Sequence, residues 1–468
     1  MMTATFRHGG RAADLGPVAV REAAAERCHA RLVAVDRVQR LNRQEWGWSK
    51  DPISGEWRLG KRIGLCGTPR GGSVVWGHVA MPDGSDGSRM EGLATCGSAN
   101  TCLRCAIKIG AARARQIELV AAVMKALGFE CYLVTLTFAH QRNDVLGEIY
   151  EAMMDGFTAF RTSRLFRKLT AGGGGFVRQV ELTWSLANGW HPHIHVLVWS
   201  KQYLSSDIEW GPSEVDRMEH ALWVEWSHQM ARSGRHVSED YGLDLVRADD
   251  PAMGRYLAKV GLELTMGALK TGRHDSWSTW ELATGAMNPD LPAEVRARCR
   301  ALWRDYVNTV AGDKHRRMFD SSRGLFRQAG LAEIDEQAEA ERVEGDATLY
   351  VEVEAPVHNT AAKAGVMPEI KGLLASQASP EVLAIVLTRR LDREVLVAAP
   401  SGGRGLPILR WAVPDDEPGR AGGGRMSGGC WQDQLIGRLR KEHLRWARTA
   451  SDGATPATNG QGSVRAWA

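Results

Sequence analysis

FVRQVELTWSLANGWHPHIHVLVW, residues 176–199, contains two runs rich in β-branched and aromatic residues. The runs, 176–184 and 193–199, are joined by a connection that includes Asn188-Gly189, a dipeptide typical of hairpin turns. The pattern predicts two antiparallel strands linked as a β-hairpin.

The segments on either side of the hairpin show both strand and helix patterns. Residues 132–138 (YLVTLTF) and 241–248 (YGLDLVRA) resemble strands, and helical patterns cover 106–127, 146–170 and 212–233. This order predicts an α+β fold with a central antiparallel sheet and helices on one of its faces. An N-terminal zinc-binding-like module and a mainly helical C-terminal region complete the expected architecture.

Composition and charge limit the class of protein. The chain has 468 residues, of which 44% are hydrophobic and 24% charged, as is typical of a globular protein with several domains. Because no apolar run reaches the ~18–20 residues that span a bilayer, and no signal peptide is visible, we expect a cytoplasmic protein without a membrane partner. The net charge is +4, but residues 331–354 carry −8. The rest of the chain therefore carries +12, a basic bias compatible with nucleic acid.

Shifts in composition predict five segments along the chain. They are an N-terminal segment of unknown role (1–60), a Cys-rich zinc-like module (61–115), the domain with the central sheet (116–275), a helical extension (276–330), and an acidic linker with a variable C-terminal region and a disordered tail (331–468).

The histidines of the second hairpin strand are the strongest chemical signal. Successive residues of a strand point to opposite faces, so His193 and His195 share one face and Ile194 lies on the other. Two imidazoles at this spacing can bind one divalent metal ion, whereas the alternative is a pair of hydrogen-bonded surface histidines. Pro192 biases the backbone of His191 away from the regular strand.

Glu181 on the preceding strand is the third candidate metal ligand. Its carboxylate joins the histidine face if the hairpin pairs it opposite His193 or His195. A turn centred on Asn188-Gly189 places Glu181 near Val196 instead, so the register stays open, and the alternative for Glu181 is a surface carboxylate. Two imidazoles and a carboxylate leave positions for water and substrate, which with Mg²⁺ or Mn²⁺ suits polarisation of a phosphodiester.

A candidate nucleophile lies on a helix predicted to begin at Asp250-Pro251. On this helix Tyr256, Lys259 and Glu263 share one face, because they are spaced by three and four residues. A phenol is a poor nucleophile near neutral pH, since its ordinary pKa is about 10. A metal ion and Lys259 would stabilise the phenolate, and the alternative for Tyr256 is a packing role.

Three cysteines in TCGSANTCLRC, Cys96, Cys102 and Cys105, are spaced as metal ligands. Cys66 is the candidate fourth ligand of a tetrahedral zinc site, and His78 is its rival. The alternative is a group of reduced core cysteines. A closed zinc site of this kind stabilises a small module without implying catalysis.

Together these features resemble the HUH endonucleases, specifically the rolling-circle replication initiator (Rep) proteins of actinobacterial plasmids. LVTLTF (133–138), HIH (193–195) and YLAK (256–259) stand in the order of that family's three motifs. The resemblance covers roughly 60–330. Further segments that carry it are 93–109, 263–273 and 302–325.

The resemblance implies the ferredoxin-like HUH palm and a role for each candidate residue. His193, His195 and Glu181 would bind Mg²⁺ or Mn²⁺ at the scissile phosphate of single-stranded or supercoiled origin DNA. Tyr256 would attack that phosphate, forming a 5′-phosphotyrosine link and freeing a 3′-OH that primes host polymerase. Lys259 would hold charge beside the tyrosine.

Termination and partners also follow from the resemblance. Relatives with two catalytic tyrosines carry the second one turn later, where this chain has Val260. A single-tyrosine enzyme needs either a water activated by a carboxylate, for which Glu263, Asp250 and Asp249 are candidates, or a second subunit, as in a homodimer. Host polymerase and helicase are partners implied by the family alone.

Three alternatives use the same residues differently. An HUH transposase shares the motif order, whereas relaxases generally place the tyrosine before the histidines. A non-enzymatic, zinc-containing DNA-binding regulator would use the tyrosine and histidines structurally. A metal-dependent hydrolase of small molecules would use the histidine strand alone.

Overall fold

The computed structural model describes residues 17–52, 54–81, 86–205, 212–247, 276–311, 317–342, 346–400 and 404–412. Its helices are α1 (Pro17–Trp46), α2 (Leu103–Ala126), α3 (Leu146–Thr162), α4 (Arg164–Leu169), α5 (Glu214–Ala231), α6 (Thr279–Gly285), α7 (Ala293–Val310), α8 (Leu325–Gln328), α9 (Glu336–Glu341), α10 (Ala355–Ala364), α11 (Met367–Ala375) and α12 (Pro380–Leu391). A 3₁₀ turn spans Arg62–Leu65. Its strands are β1 (Trp48–Lys50), β2 (Trp57–Leu59), β3 (Ser73–Ala80), β4 (Asp86–Glu91), β5 (Glu130–Leu136), β6 (Gly175–Ser185), β7 (Gly189–Ser200), β8 (Leu243–Arg247), β9 (Ser276–Ser278), β10 (Phe319–Ser321), β11 (Asp346–Glu354), β12 (Val395–Ala398) and β13 (Ile408–Trp411).

The predicted hairpin is formed by β6 and β7, which pair antiparallel from the turn to their far ends. Ser185 lies opposite Gly189 at the turn. Gly189 has a φ of +71°, and a Cβ at this position would clash with the carbonyl oxygen of Arg142. Only glycine satisfies both the left-handed backbone and the close approach. The Asn-Gly signal therefore marks a turn that is also packed against a neighbouring loop.

The hairpin lies in the middle of an antiparallel sheet with the order β10-β6-β7-β5-β8, and β9 also pairs with β6. One face of this sheet packs against α3 and α5. On that face Ile194, Val196 and Val198 are fully buried, and Phe160 of α3 contacts Trp226 of α5 with ring centroids 5.7 Å apart. The α+β class and the central antiparallel sheet are confirmed.

The opposite face of the sheet is covered at one end by α2 and α8. Ile117, Val120 and Met124 of α2 pack there with Leu133 and Leu197 in a separate apolar cluster. The sequence predicts helices on one face, and the structure adds α2 on the other. Since side chains alternate along β7, the histidines share the face of Leu197 and lie beyond the end that α2 covers.

A second sheet with the order β12-β13-β11-β3-β4 differs from the sequence-based expectation. Its central strand β11 falls within the predicted acidic linker, yet Val351 and Val353 are fully buried against α10–α12. The acidic residues Glu352 and Glu354 alternate with these valines, so the run has the period of a half-buried strand. Net charge summed over the segment conceals that alternation.

The N-terminal helix α1 belongs to the main core, where Val38 and Leu41 are fully buried. Its packing gives the predicted N-terminal segment 1–60 a structural part in the described fold. Among the described residues, none of the helices combines the length and the apolar character that crossing a bilayer requires.

Candidate functional site

Three histidines of β7 line one face of the hairpin. His191, His193 and His195 pair with Thr183, Glu181 and Gln179 of β6, respectively. The ring centroids of His191 and His193 lie 4.2 Å apart, and those of His193 and His195 lie 6.2 Å apart. The expectation that Pro192 biases His191 away from the strand was wrong, because β7 continues through both residues and keeps His191 in register.

Glu181 completes the group of side chains on this face. Of the registers left open by the sequence, the structure has Glu181 opposite His193. The Oε2 atom of Glu181 lies 3.1 Å from Nε2 of His195. Two ligands at about 2.1 Å from one octahedral ion are about 3 Å apart, so this pair already has the spacing of neighbouring ligands. His193 lies across from the carboxylate and is the third member of the set.

Burial keeps two of the imidazoles in the neutral form. Desolvation, together with the neighbouring histidines, lowers the pKa of His191 to about 4 and that of His193 to about 3. A neutral imidazole has a free lone pair, whereas an imidazolium has none, and metal ions therefore bind the neutral form. The site thus presents neutral nitrogen donors beside one carboxylate.

Neighbouring strands add polar groups that the sequence analysis did not identify. Thr135 of β5 places its hydroxyl 3.3 Å from Nδ1 of His195, and a partner on the second ring nitrogen fixes the orientation of an imidazole. Asp244 of β8 lies opposite Thr135, and burial raises the pKa of its carboxyl. On the other side of His195, Gln179 is buried and its Oε1 has no hydrogen-bond partner among the described residues.

A fourth imidazole extends the histidine row. The ring centroid of His140 lies 4.6 Å from that of His191, and burial lowers the pKa of His140. Its position shortly after β5, the neighbour of β7 in the sheet, was the signal available in the sequence. The row of His140, His191, His193 and His195 is therefore longer than the predicted His-x-His pair.

The predicted helix with Tyr256, Lys259, Glu263 and Asp250 lies outside the described residues. The described chain stops at Arg247 at the end of β8 and resumes at β9. These two ends lie on opposite sides of β7 in the sheet, because β8 follows β5 whereas β9 pairs with β6.

The four predicted zinc ligands converge in the structure. Cys66, Cys96, Cys102 and Cys105 are all buried, and their sulfur atoms lie within 4.8 Å of one another. The Sγ atom of Cys105 is 3.7 Å from that of Cys66 and 3.6 Å from that of Cys96. Sulfurs at about 2.3 Å from a tetrahedral zinc ion are about 3.8 Å apart, whereas a disulfide needs about 2.05 Å. The cluster can therefore hold a metal ion such as zinc.

The cysteine cluster also settles the choice of the fourth ligand. Cys66 directly follows the 3₁₀ turn, and Cys102 and Cys105 lie at the start of α2. His78 instead lies in the second sheet, where its Nε2 is 2.7 Å from Oδ1 of Asp86. Over the ranges that the structure describes, the four cysteines are the one set of three or more His, Cys, Asp or Glu ligand atoms this close together.

Comparison with known proteins gives a distant relative. The similarity is to a protein of Streptomyces lividans named Protein rep. The two sequences are 25% identical over 320 residues, which cover 56% of this chain and 70% of the relative. No protein-family profile and no solved structure matches the chain.

Proposed function

We propose that this chain is a rolling-circle replication initiator that nicks single-stranded origin DNA by the chemistry of the HUH endonucleases. The order of the three sequence motifs, the antiparallel sheet and the similarity to a protein named Protein rep support the proposal. We also propose the segments 61–115, 116–275 and 276–330 as its zinc-like module, endonuclease domain and helical extension.

The observation that carries the proposal is the position of Glu181. Its carboxylate lies opposite His193 and 3.1 Å from His195, on the sheet face that packs against α2 and α8 at its other end. Together these side chains offer two imidazole nitrogens and one carboxylate oxygen, a set that binds Mg²⁺ or Mn²⁺ and leaves positions for a phosphate. An ion bound there would polarise the scissile phosphodiester.

The nucleophile in this proposal is Tyr256, assigned by the family resemblance. Its phenol oxygen forms a bond to phosphorus while the bond from phosphorus to O3′ breaks, which leaves a 5′-phosphotyrosine. The phenol proton passes to Glu263, Asp250 or water, and the departing O3′ takes up a proton to become the 3′-OH primer. Lys259 stabilises the negative charge on the phenol oxygen.

The partners follow from this chemistry. The 3′-OH needs a polymerase to extend it, and the displaced strand needs a helicase, so host enzymes supply both. A single tyrosine is consumed by the first nick. Termination therefore uses water activated by Glu263 or Asp250, or the tyrosine of a second copy in a homodimer.

The zinc-like module has a supporting role in this proposal. Four thiolates fill the coordination sphere of a tetrahedral zinc ion, so no position is left for substrate. The cluster fastens the start of α2, and the later turns of α2 pack on the sheet face that carries the histidines. Zinc would therefore stabilise the platform on which the nicking site is built.

Covalent transfer of DNA to protein tests the proposal. The purified protein is incubated with labelled single-stranded DNA from the replicon that encodes it, with Mn²⁺ or Mg²⁺, and run on a denaturing gel. We expect label on the protein that disappears with EDTA and in the variant Tyr256→Phe. The matched control is Tyr241→Phe, because Tyr241 is 81% exposed and lies outside the proposed site.

The outcomes separate the alternatives. Transfer that survives in Tyr256→Phe would keep the reaction class and reject this nucleophile. No transfer from any encoded strand, by protein that binds the metal and DNA, would favour the non-enzymatic DNA-binding regulator. A transposase would give the same covalent product, but its gene would be flanked by element ends rather than an adjacent origin.

A further inference from the structure

A cavity of about 770 Å³ lies apart from the histidine row. Its walls come from α1, the strands β3 and β4, the start of α2, and the helices α9, α10 and α11. Gly67, Thr95 and Arg104, which directly precede or follow three of the clustered cysteines, form part of the wall. A cavity of this size is typical of sites for small organic ligands.

The lining of the cavity is strongly cationic. Nine arginine and lysine side chains face four carboxylates. Each carboxylate already has a cationic partner: Asp36 with Arg40 at 3.1 Å, Glu341 with Arg70 at 2.7 Å, Glu339 with Arg342 at 3.4 Å, and Glu91 with Arg89. The lining therefore has five more cationic side chains than carboxylates, and an anion bound there would be attracted to this excess positive charge.

Two of the remaining five cations have other functions. Arg104 donates to the carbonyl oxygen of Ala94 and lies 3.9 Å from the sulfur of Cys66, so it offsets thiolate charge. Lys108 donates to the carbonyl oxygens of Ala340 and Arg342 at the end of α9.

Arg31, Arg43 and Lys371 are the cations left over. The Nε atom of Arg43 is buried and has no hydrogen-bond partner in the part of the chain that the structure describes. Burial, together with the charge of Arg104, lowers the pKa of Lys371 to about 8. Burial likewise lowers the pKa of Arg43, although Asp36 opposes that shift. Desolvated cations that share one carboxylate are stabilised when an anion enters.

The rest of the lining is suited to an organic ligand. Met81, Met90, Leu93 and Ile107 contribute apolar side chains to the same cavity. His358 does not compete for an anion, because its Nδ1 accepts from Trp76 and its Nε2 lies 3.2 Å from the carbonyl oxygen of Gly67. The cavity therefore combines free cations with an apolar wall, as a nucleotide requires.

We propose that this cavity binds a phosphate-bearing nucleotide, with Arg43 and Lys371 contacting the phosphates. Charged hydrogen bonds from a guanidinium and an ammonium match phosphate oxygens. The phosphate can belong to a free nucleotide or to the 5′ end of a DNA strand, since the chemistry that recognises it is the same.

Calorimetric titration of the full-length protein tests this site, with pyrophosphate as the first probe. We expect saturable binding, weakened at least about tenfold in Lys371→Met and in Arg43→Met, because each variant loses a charged hydrogen bond. Lys363→Met is the matched control, since Lys363 is exposed on the neighbouring α10 and does not line the cavity. Thermal melts verify that each variant is folded.

Two further titrations identify the source of the phosphate. Titration with dATP that weakens in the same two variants would assign a free nucleotide, and titration with a 5′-phosphorylated single-stranded oligonucleotide that weakens in them would assign a DNA end. If the folded wild-type protein binds none of the three probes, the proposal is overturned. Equal weakening in Lys363→Met would also overturn it, because the binding would then depend on general surface charge.

Discussion

Removal of the metal from the four-cysteine cluster should lower the Tm of the protein by roughly 8–16 °C. The sulfur separations of 3.6 and 3.7 Å correspond to metal–sulfur distances of about 2.2–2.3 Å in a tetrahedral site, the values of zinc. The folded chain therefore places the four sulfurs at the spacing that a zinc ion requires.

The magnitude follows from mass action. At free zinc about 1,000-fold above the dissociation constant, a site present only in the folded state contributes about 4 kcal/mol to the free energy of unfolding. Domains of 150–250 residues shift their Tm by about 2–4 °C per kcal/mol. We therefore expect the Tm to fall by roughly 8–16 °C when zinc is removed.

The assay combines native mass spectrometry with thermal melts. Protein prepared with zinc should carry one ion per chain, and EDTA should remove both the ion and the additional stability. Cys105→Ser should reproduce the loss, because its sulfur lies 3.7 Å from that of Cys66 and 3.6 Å from that of Cys96. Cys28→Ser is the control, since Cys28 is exposed and lies outside the cluster. The reasoning is refuted if the wild-type protein binds no zinc, or if its Tm is the same with and without the ion.

Other expected outcomes concern the hairpin and the second sheet. Glu181→Gln should weaken Mn²⁺ binding at least about tenfold, measured by calorimetry, because the anionic ligand is lost; unchanged affinity would remove Glu181 from the site. Gly189→Ala should destabilise the protein by about 1–3 kcal/mol in urea denaturation, since its left-handed backbone and contact with a loop carbonyl exclude a methyl group. Gly147→Ala has open space around it in α3 and should be neutral or slightly stabilising; a similar loss in both would contradict this explanation. Val353→Ala should lower the free energy of unfolding by about 2 kcal/mol, because Val353 is fully buried. Glu333→Ala is the control, since Glu333 is exposed and its loss should change stability very little. Equal effects would show that β11 contributes little to the core.

The hairpin and its histidine face could be predicted because the necessary information is local. Alternation along HIHVLVW determines which side chains share a face, and Asn-Gly identifies the turn. The register could not be fixed in the same way, since a change of one residue in the turn moves Glu181 to the other face. The partner His193 emerges only when the whole sheet is packed.

Long-range neighbours of the site had no comparable signal. His140, Thr135 and Asp244 reach the histidine row because β5 and β8 pair beside β7, and strand order is a property of the whole chain. The choice between Cys66 and His78 likewise depended on tertiary packing. Both are separated from the other cysteines by distances in sequence that spacing rules do not resolve.

The second sheet was missed because its parts are far apart in sequence and one of them is acidic. Val75 of β3 pairs with Glu352 of β11. A window average over 331–354 reports the charge of the exposed face and hides the valines of the buried face. The alternation of apolar and acidic residues at 351–354 was visible in the sequence, and it indicates a strand when it is given more weight than the net charge of the segment.

Because β3 pairs with β11, which is much later in the chain, β3 is made long before its partner strand during synthesis. At about 5–20 residues per second, a ribosome needs roughly 15–55 s to deliver the partner of Val75 after that residue has been made. During this interval β3 has an open edge, which in a newly made chain is a template for pairing with other molecules. A fragment that stops near residue 330 would keep that edge permanently, so recombinant expression of the sheet that carries the histidine row should retain the chain through residue 412.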